Sequence, residues 1–117
     1  MNYIPGLHIL CEITTSESSK ISEFQSAQNF LRERIRHYEL NIIGEVFHDF
    51  PGGGYTGVIC LTESHISIHT WPEHNFLTLD VFLSNYKKVN DDTARNLLDD
   101  ILSFFKAENY EKREVRR

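Results

Sequence analysis

Along the chain, apolar residues recur at two different spacings. Residues 7–13 (Leu7-His8-Ile9-Leu10-Cys11-Glu12-Ile13) are β-rich and follow the breaker Pro5-Gly6, which predicts a strand with His8 and Glu12 on one face. Thr14 to Ser19 is a polar turn. Ile21, Phe24, Ala27, Gln28, Leu31 and Ile35 then fall at helical spacing and predict one amphipathic helix over 21–38. Residues 40–48 read as a strand interrupted by Gly44, and Phe50-Pro51-Gly52-Gly53-Gly54 as a loop. Three strands follow, over 55–62, 65–70 and 76–83. Trp71-Pro72-Glu73-His74-Asn75 is the turn before the last of these. Asn90-Asp91-Asp92 caps a second helix, with Ala94, Leu97, Leu98, Ile101, Leu102 and Phe105 on its apolar face. Residues 109–116 read as a final strand. The order β-α-β-β-β-β-α-β predicts an α+β fold, a two-layer α/β sandwich with two helices over one largely antiparallel sheet.

A length of 117 residues suits a single domain over 1–117 and limits the core, so oligomerisation would help it. The net charge of −5 does not favour a nucleic-acid partner and sits more easily with a cationic or small-molecule ligand. Cys11 and Cys60 have no zinc-type spacing and lie in apolar strand-like runs, where reduced, buried thiols are expected. Met1 to Gly6 lacks a basic segment leading into a long apolar one, and no run approaches the roughly 20 apolar residues of a membrane span. The expectation is a cytoplasmic chain with no signal peptide and no membrane contact.

The chemistry is concentrated in residues 61–82. Glu63, Ser64, His65, Ser67, His69, Glu73 and His74 are set into strand-forming sequence. On a strand, His65, Ser67 and His69 share one face, opposite Ile66 and Ile68. Three readings compete. One is a nucleophilic hydroxyl with a histidine base, as in acyl transfer. Another is a histidine metal site. The third is a solvated outer face of an antiparallel sheet.

The run Glu63-Ser64-His65-Ile66-Ser67-Ile68-His69-Thr70-Trp71-Pro72-Glu73 resembles the signature of the bacterial and archaeal S-adenosylmethionine decarboxylase proenzymes. Asp80-Val81-Phe82, Gly6 with His8, and Phe50 with Gly54-Tyr55-Thr56-Gly57-Val58 extend the resemblance, while the C-terminal third matches only in its helix-then-strand pattern. The resemblance implies self-cleavage between residues 63 and 64. The Ser64 hydroxyl attacks the Glu63 carbonyl to give an ester, and elimination and hydrolysis leave a covalent pyruvoyl group on residue 64. It implies that His69 takes the α-proton and that Thr56 stabilises the oxyanion-like cyclic intermediate. The pyruvoyl ketone would take the substrate amine as a Schiff base and draw electrons as carbon dioxide leaves. Phe50 would stack on the adenine and Glu73 would bind the ribose hydroxyls. Glu63, as a new C-terminus, would line the pocket. The resemblance implies a homodimer of cleaved protomers and calls for no metal. Trp71, His74, His65, His8 and Glu12 are expected to be structural or solvated.

Two departures from the family pattern bear on function. The family carries a cysteine two residues after Asp-Val-Phe, to return a proton to the decarboxylated carbon, and Ser84 stands here instead. A thiol has a pKa of about 8.5, and a serine hydroxyl is a far poorer acid. Thr56 replaces a serine, keeping the hydroxyl but stiffening the rotamer. The Gly52-Gly53-Gly54 loop also differs from the usual proline-bearing spacing. Three function classes stay open: an S-adenosylmethionine decarboxylase serving spermidine synthesis, a pyruvoyl decarboxylase turned to arginine or ornithine, and a non-catalytic paralogue.

Overall fold

The computed structural model describes residues 3–117. The first two residues of the amino-terminal segment read above lie outside the described residues. β1 (Leu7–Thr14), β2 (Ile42–Asp49), β3 (Tyr55–Leu61), β4 (Ser64–Trp71), β5 (Phe76–Leu83) and β6 (Asn109–Arg116) form one sheet in the order β2-β3-β4-β5-β1-β6. Every neighbouring pair is antiparallel. Helices α1 (Ser18–Ser22), α2 (Gln25–His37) and α3 (Asp91–Phe104) cover one face. The α+β sandwich is therefore as expected, and its shortest dimension is 20 Å, the thickness of a helix layer on a sheet.

Alternation sets the two faces. Leu7, Ile9, Cys11 and Ile13 of β1, Ile66, Ile68 and Thr70 of β4, and Leu77, Leu79, Val81 and Leu83 of β5 are buried. They meet Ala27, Leu31 and Ile35 of α2 and Ala94, Leu97, Leu98 and Ile101 of α3. The residues between them point to an outer face that no element among the described residues covers. There His8, Leu10, Val58, His65, Ser67 and Phe82 are only half-buried, and Val46 is 71% exposed. His65, Ser67 and His69 do share this face, as the pattern predicted.

Two expectations fail for physical reasons. The single helix over 21–38 is two helices, broken where Glu23 is extended (φ −133°, ψ 145°). The sheet takes the carbonyls a continuous helix would need. Tyr55 OH donates to Lys20 O (2.9 Å), Thr70 Oγ1 to Ile21 O (2.6 Å) and the Gly54 N–H to Ser22 O (2.9 Å). The Phe24 N–H turns instead to Asp49 Oδ1 at 2.9 Å. Of the two cysteines, Cys11 is buried, which pushes its thiol up to about 11. Cys60 is exposed, because Ile59 and Leu61 occupy the core phase of β3 and leave residue 60 on the outer face.

Asn90 precedes α3 as expected, but its side chain caps nothing in the helix. Its Nδ2 donates to Ser84 O at 2.8 Å instead.

Candidate active site

The residues singled out from the sequence fall into two groups at opposite ends of β4. At one end, a two-residue turn (Thr62, Glu63) joins β3 to β4, and Ser64 opens β4 opposite Leu61 and Leu83. Ser64 has φ +152°, a region that side-chain-bearing residues rarely enter. The other non-glycine residues with positive φ among the described residues, Glu39, Asn75 and Lys106, lie near the ordinary left-handed well, at +59°, +51° and +48°. The Glu63 carbonyl oxygen accepts a hydrogen bond from the Ser84 N–H at 2.7 Å. Glu63, Ser84, Lys87, Lys88 and Asn90 line a hollow of about 510 Å³ beside this turn.

At the other end, Thr56 of β3 pairs directly with His69 of β4, and the threonine hydroxyl and His69 Nδ1 are hydrogen-bonded. Phe50, Thr56, His69, Trp71 and Glu73 line a second hollow of about 360 Å³. The three-glycine loop closes it, with φ of +88°, +108° and +95° at Gly52, Gly53 and Gly54, which only glycine adopts at low cost. Phe50 is 47% exposed and meets His48 edge-on. Glu73 lies in the 3-10 turn Pro72–His74, together with an exposed His74. Trp71 packs on Phe76 but also lines the hollow.

The two groups do not meet within one chain. Ser64 and His69 are both in β4, five residues apart. An extended strand rises about 3.3 Å per residue, so roughly 17 Å separates them. A hydrogen-bonded nucleophile and base need about 3 Å.

Between the groups, the outer face carries further polar side chains, His8 among them, which was expected to be structural or solvated. His8 Nε2 lies 3.0 Å from Asp80 Oδ1, and Ser67 Oγ donates to Asp80 Oδ2 at 3.2 Å. Arg117 stands over the Phe82 ring, 5.7 Å from its centre. Sequence reasoning also passed over the residues that brace position 84. Asn85 Oδ1 accepts from the Asn90 N–H (2.6 Å), and Asn85 Nδ2 donates to Asp91 Oδ1 (3.0 Å). Arg116, then Asn85, hydrogen-bond the Asp91 carboxyl and hold it below its ordinary value. Asn90 looked like a helix cap from its place alone, and nothing in the pattern marked Asn85. Among the described residues, no group of three or more His, Cys, Asp or Glu is arranged to hold a metal ion, and no helix is long and apolar enough to cross a membrane.

Comparison with known proteins adds four findings. The profile of the family described as S-adenosylmethionine decarboxylase matches residues 7–117. An S-adenosylmethionine decarboxylase proenzyme from Persephonella marina is 41% identical over 83 residues, 71% of this chain but only 62% of that protein's length. One from Methanococcus maripaludis is 33% identical over 112 residues, 96% of this chain and 88% of the relative. The crystal structure of the adenosylmethionine decarboxylase from Aquifex aeolicus superposes with a TM-score of 0.87 at 30% identity, covering 99% of this chain and 92% of that one.

Proposed function

Since the chain belongs to the S-adenosylmethionine decarboxylase family, we propose that it cuts itself between Glu63 and Ser64 and decarboxylates S-adenosylmethionine with the pyruvoyl group left on residue 64. The observation that carries this reading is the backbone of Ser64. A serine at φ +152° costs on the order of 1–3 kcal/mol. Such strain persists where the surrounding fold imposes it, and here it sits on the bond to be cut. Cleavage would release it. The residues fit the group: Ser64 supplies the hydroxyl and the carbon skeleton, and the scissile carbonyl already accepts a hydrogen bond.

In this reading Ser64 Oγ attacks the Glu63 carbonyl carbon, Thr56 donates to the oxygen that gains charge, and His69 removes the Ser64 α-proton in the elimination. The roughly 17 Å between the groups supports a site completed by a second copy, whose Thr56 and His69 reach the first copy's Ser64. The uncovered outer sheet face supports the same assembly, since its apolar members Val46, Leu10 and Phe82 lack a covering layer. The partner is a homodimer of cleaved protomers, and the compartment is the cytoplasm. When formed, the pyruvoyl ketone supplies the electron sink for loss of carbon dioxide. Phe50 and Glu73 hold the adenine ring and the ribose hydroxyls. Glu63, once freed, lines the pocket, and Ser84 returns the proton to the substrate carbon.

Intact mass of the purified protein tests the reading. The expected result is two fragments, 1–63 and 64–117, the second lighter by one ammonia than simple hydrolysis would leave it. A single uncut chain after long incubation overturns self-cleavage. Carbon dioxide release from S-adenosylmethionine, arginine and ornithine then fixes the substrate. A rate on arginine or ornithine far above that on S-adenosylmethionine replaces the substrate assignment, for which Ser84 at the cysteine position leaves room.

A further inference from the structure

We propose that the backbone N–H of Ser84 is an oxyanion donor for cleavage at Glu63–Ser64, and that Asn85 and Asn90 are positioning residues that keep it on the scissile carbonyl. The proposal rests on the self-cleavage reading and gives position 84 a second role, independent of its side chain.

The Ser84 N–H lies 2.7 Å from Glu63 O, the oxygen that gains charge when Ser64 attacks. This bond is the terminal hydrogen bond of the antiparallel β4–β5 ladder, flanking its last pair, Ser64–Leu83. The loop after β5 braces the donor further. Asn90 Nδ2 donates to Ser84 O at 2.8 Å, and the Asn90 N–H donates to Asn85 Oδ1 at 2.6 Å. Asn85 Nδ2 is shared between Pro5 O and Asp91 Oδ1, both at 3.0 Å. From the other side Gly6 lies flat on the same peptide. A Cβ there would meet Leu83 O at 2.6 Å and the Ser84 Cα at 2.9 Å.

The 83–84 peptide is thus clamped between Gly6 and two asparagines that are 4% and 2% exposed. Burying amides is costly unless every polar atom is bonded. Asn90 Oδ1 has no partner among the described residues.

The chemistry uses the donor as follows. Ser64 Oγ forms a bond to the Glu63 carbonyl carbon and gives its proton to a base, while the C=O π pair moves onto oxygen. The Ser84 N–H, already aligned, holds that oxyanion more strongly than the neutral carbonyl. Collapse returns the electron pair and breaks the C–N bond, and the Ser64 nitrogen takes up a proton. The products are an ester at Ser64 Oγ and a free amine.

Semisynthetic proenzyme in which the 83–84 amide is replaced by an ester tests this, since it loses the N–H and keeps every side chain. Refolded from denaturant, it should release the 64–117 fragment about 100-fold more slowly than the all-amide chain, or slower still. The same replacement between Glu111 and Lys112, in the edge strand, should change the rate by less than about threefold. Positioning is read separately in uncut Ser64→Ala protein with a ¹³C-labelled Glu63 carbonyl. Asn90→Ala should raise the carbonyl stretching frequency, as a lost hydrogen bond does, and in the Ser64 protein it should slow cleavage. Equal cleavage rates with amide and ester at 83–84, or an unmoved carbonyl frequency, overturn the proposal. A refolded all-amide chain that never cleaves overturns the self-cleavage reading itself, and the proposal with it.

Discussion

In the mechanism proposed above, position 84 would meet two separable demands. Its N–H belongs to the backbone and is indifferent to side-chain identity, whereas proton return would depend on the side chain. Serine is a poor acid, so protonation of the product carbon should be the weak step of turnover. Protons delivered instead to the pyruvoyl-derived carbon turn that group into alanine and inactivate the enzyme. Ser84→Cys should therefore raise the number of turnovers per enzyme. The check is a time course of carbon dioxide release, with the mass of the 64–117 fragment read at its end. Equal turnover and equal alanine formation in both forms would show that Ser84 is not the acid. Asp91, whose carboxylate accepts from Asn85, offers a test on stability. Arg116 and Asn85 depress its carboxyl pKa in the folded chain. A depressed carboxyl contributes stability above its unfolded value, and that stability is lost as pH falls through the lower folded value. Asp91→Asn should thus flatten the acid limb of the thermal stability curve. At neutral pH it should cost about 1 kcal/mol or less, the scale of an exposed ion pair. An unchanged acid limb by calorimetry would count against the assignment.

At the scale of elements, the junction of α1, β3 and β4 shows tertiary partners overriding helical spacing. Thr70 is buried, takes the Tyr55 N–H at 2.9 Å and donates to Ile21 O at 2.6 Å. Thr70→Val keeps the shape but strands a buried donor and a buried acceptor. Each stranded group costs about 1–3 kcal/mol. The variant should lose about 2–4 kcal/mol in denaturant unfolding, with α1 the first segment to exchange its amide protons. A loss below about 0.5 kcal/mol would mean that water replaces the hydroxyl.

At the scale of the whole molecule, the separation of Ser64 from His69 makes assembly a condition of the self-cleavage proposed above. On the proposed roles, Ser64→Ala removes the nucleophile and His69→Ala removes the base, so each should stay uncut alone. Co-folded, they form mixed dimers in which one site has an intact Ser64 from one chain facing an intact His69 from the other. The His69→Ala chain should then be cleaved and the Ser64→Ala chain should not, as mass spectrometry of the mixture would reveal. Cleavage of His69→Ala by itself removes the role of His69. No cleavage in the mixture removes the shared site.

The sequence by itself determined the layers and the faces. Alternation in β1, β4 and β5 and the helical spacing of α2 and α3 are local patterns, and they fix which side of each element turns toward the other layer. The motif from Glu63 to Glu73 likewise marked the family, because residue types and their order are written in the chain. What only the tertiary structure decided depends on partners distant in sequence. The break after α1 is made by hydroxyls from β3 and β4, 35 and 49 residues away. Cys60 is exposed because of its strand's phase against the helices, which composition does not carry. The division of the site is also a matter of three dimensions. Fully extended β4 spreads a compact motif along its length, so residues adjacent in a signature lie too far apart to react within one chain.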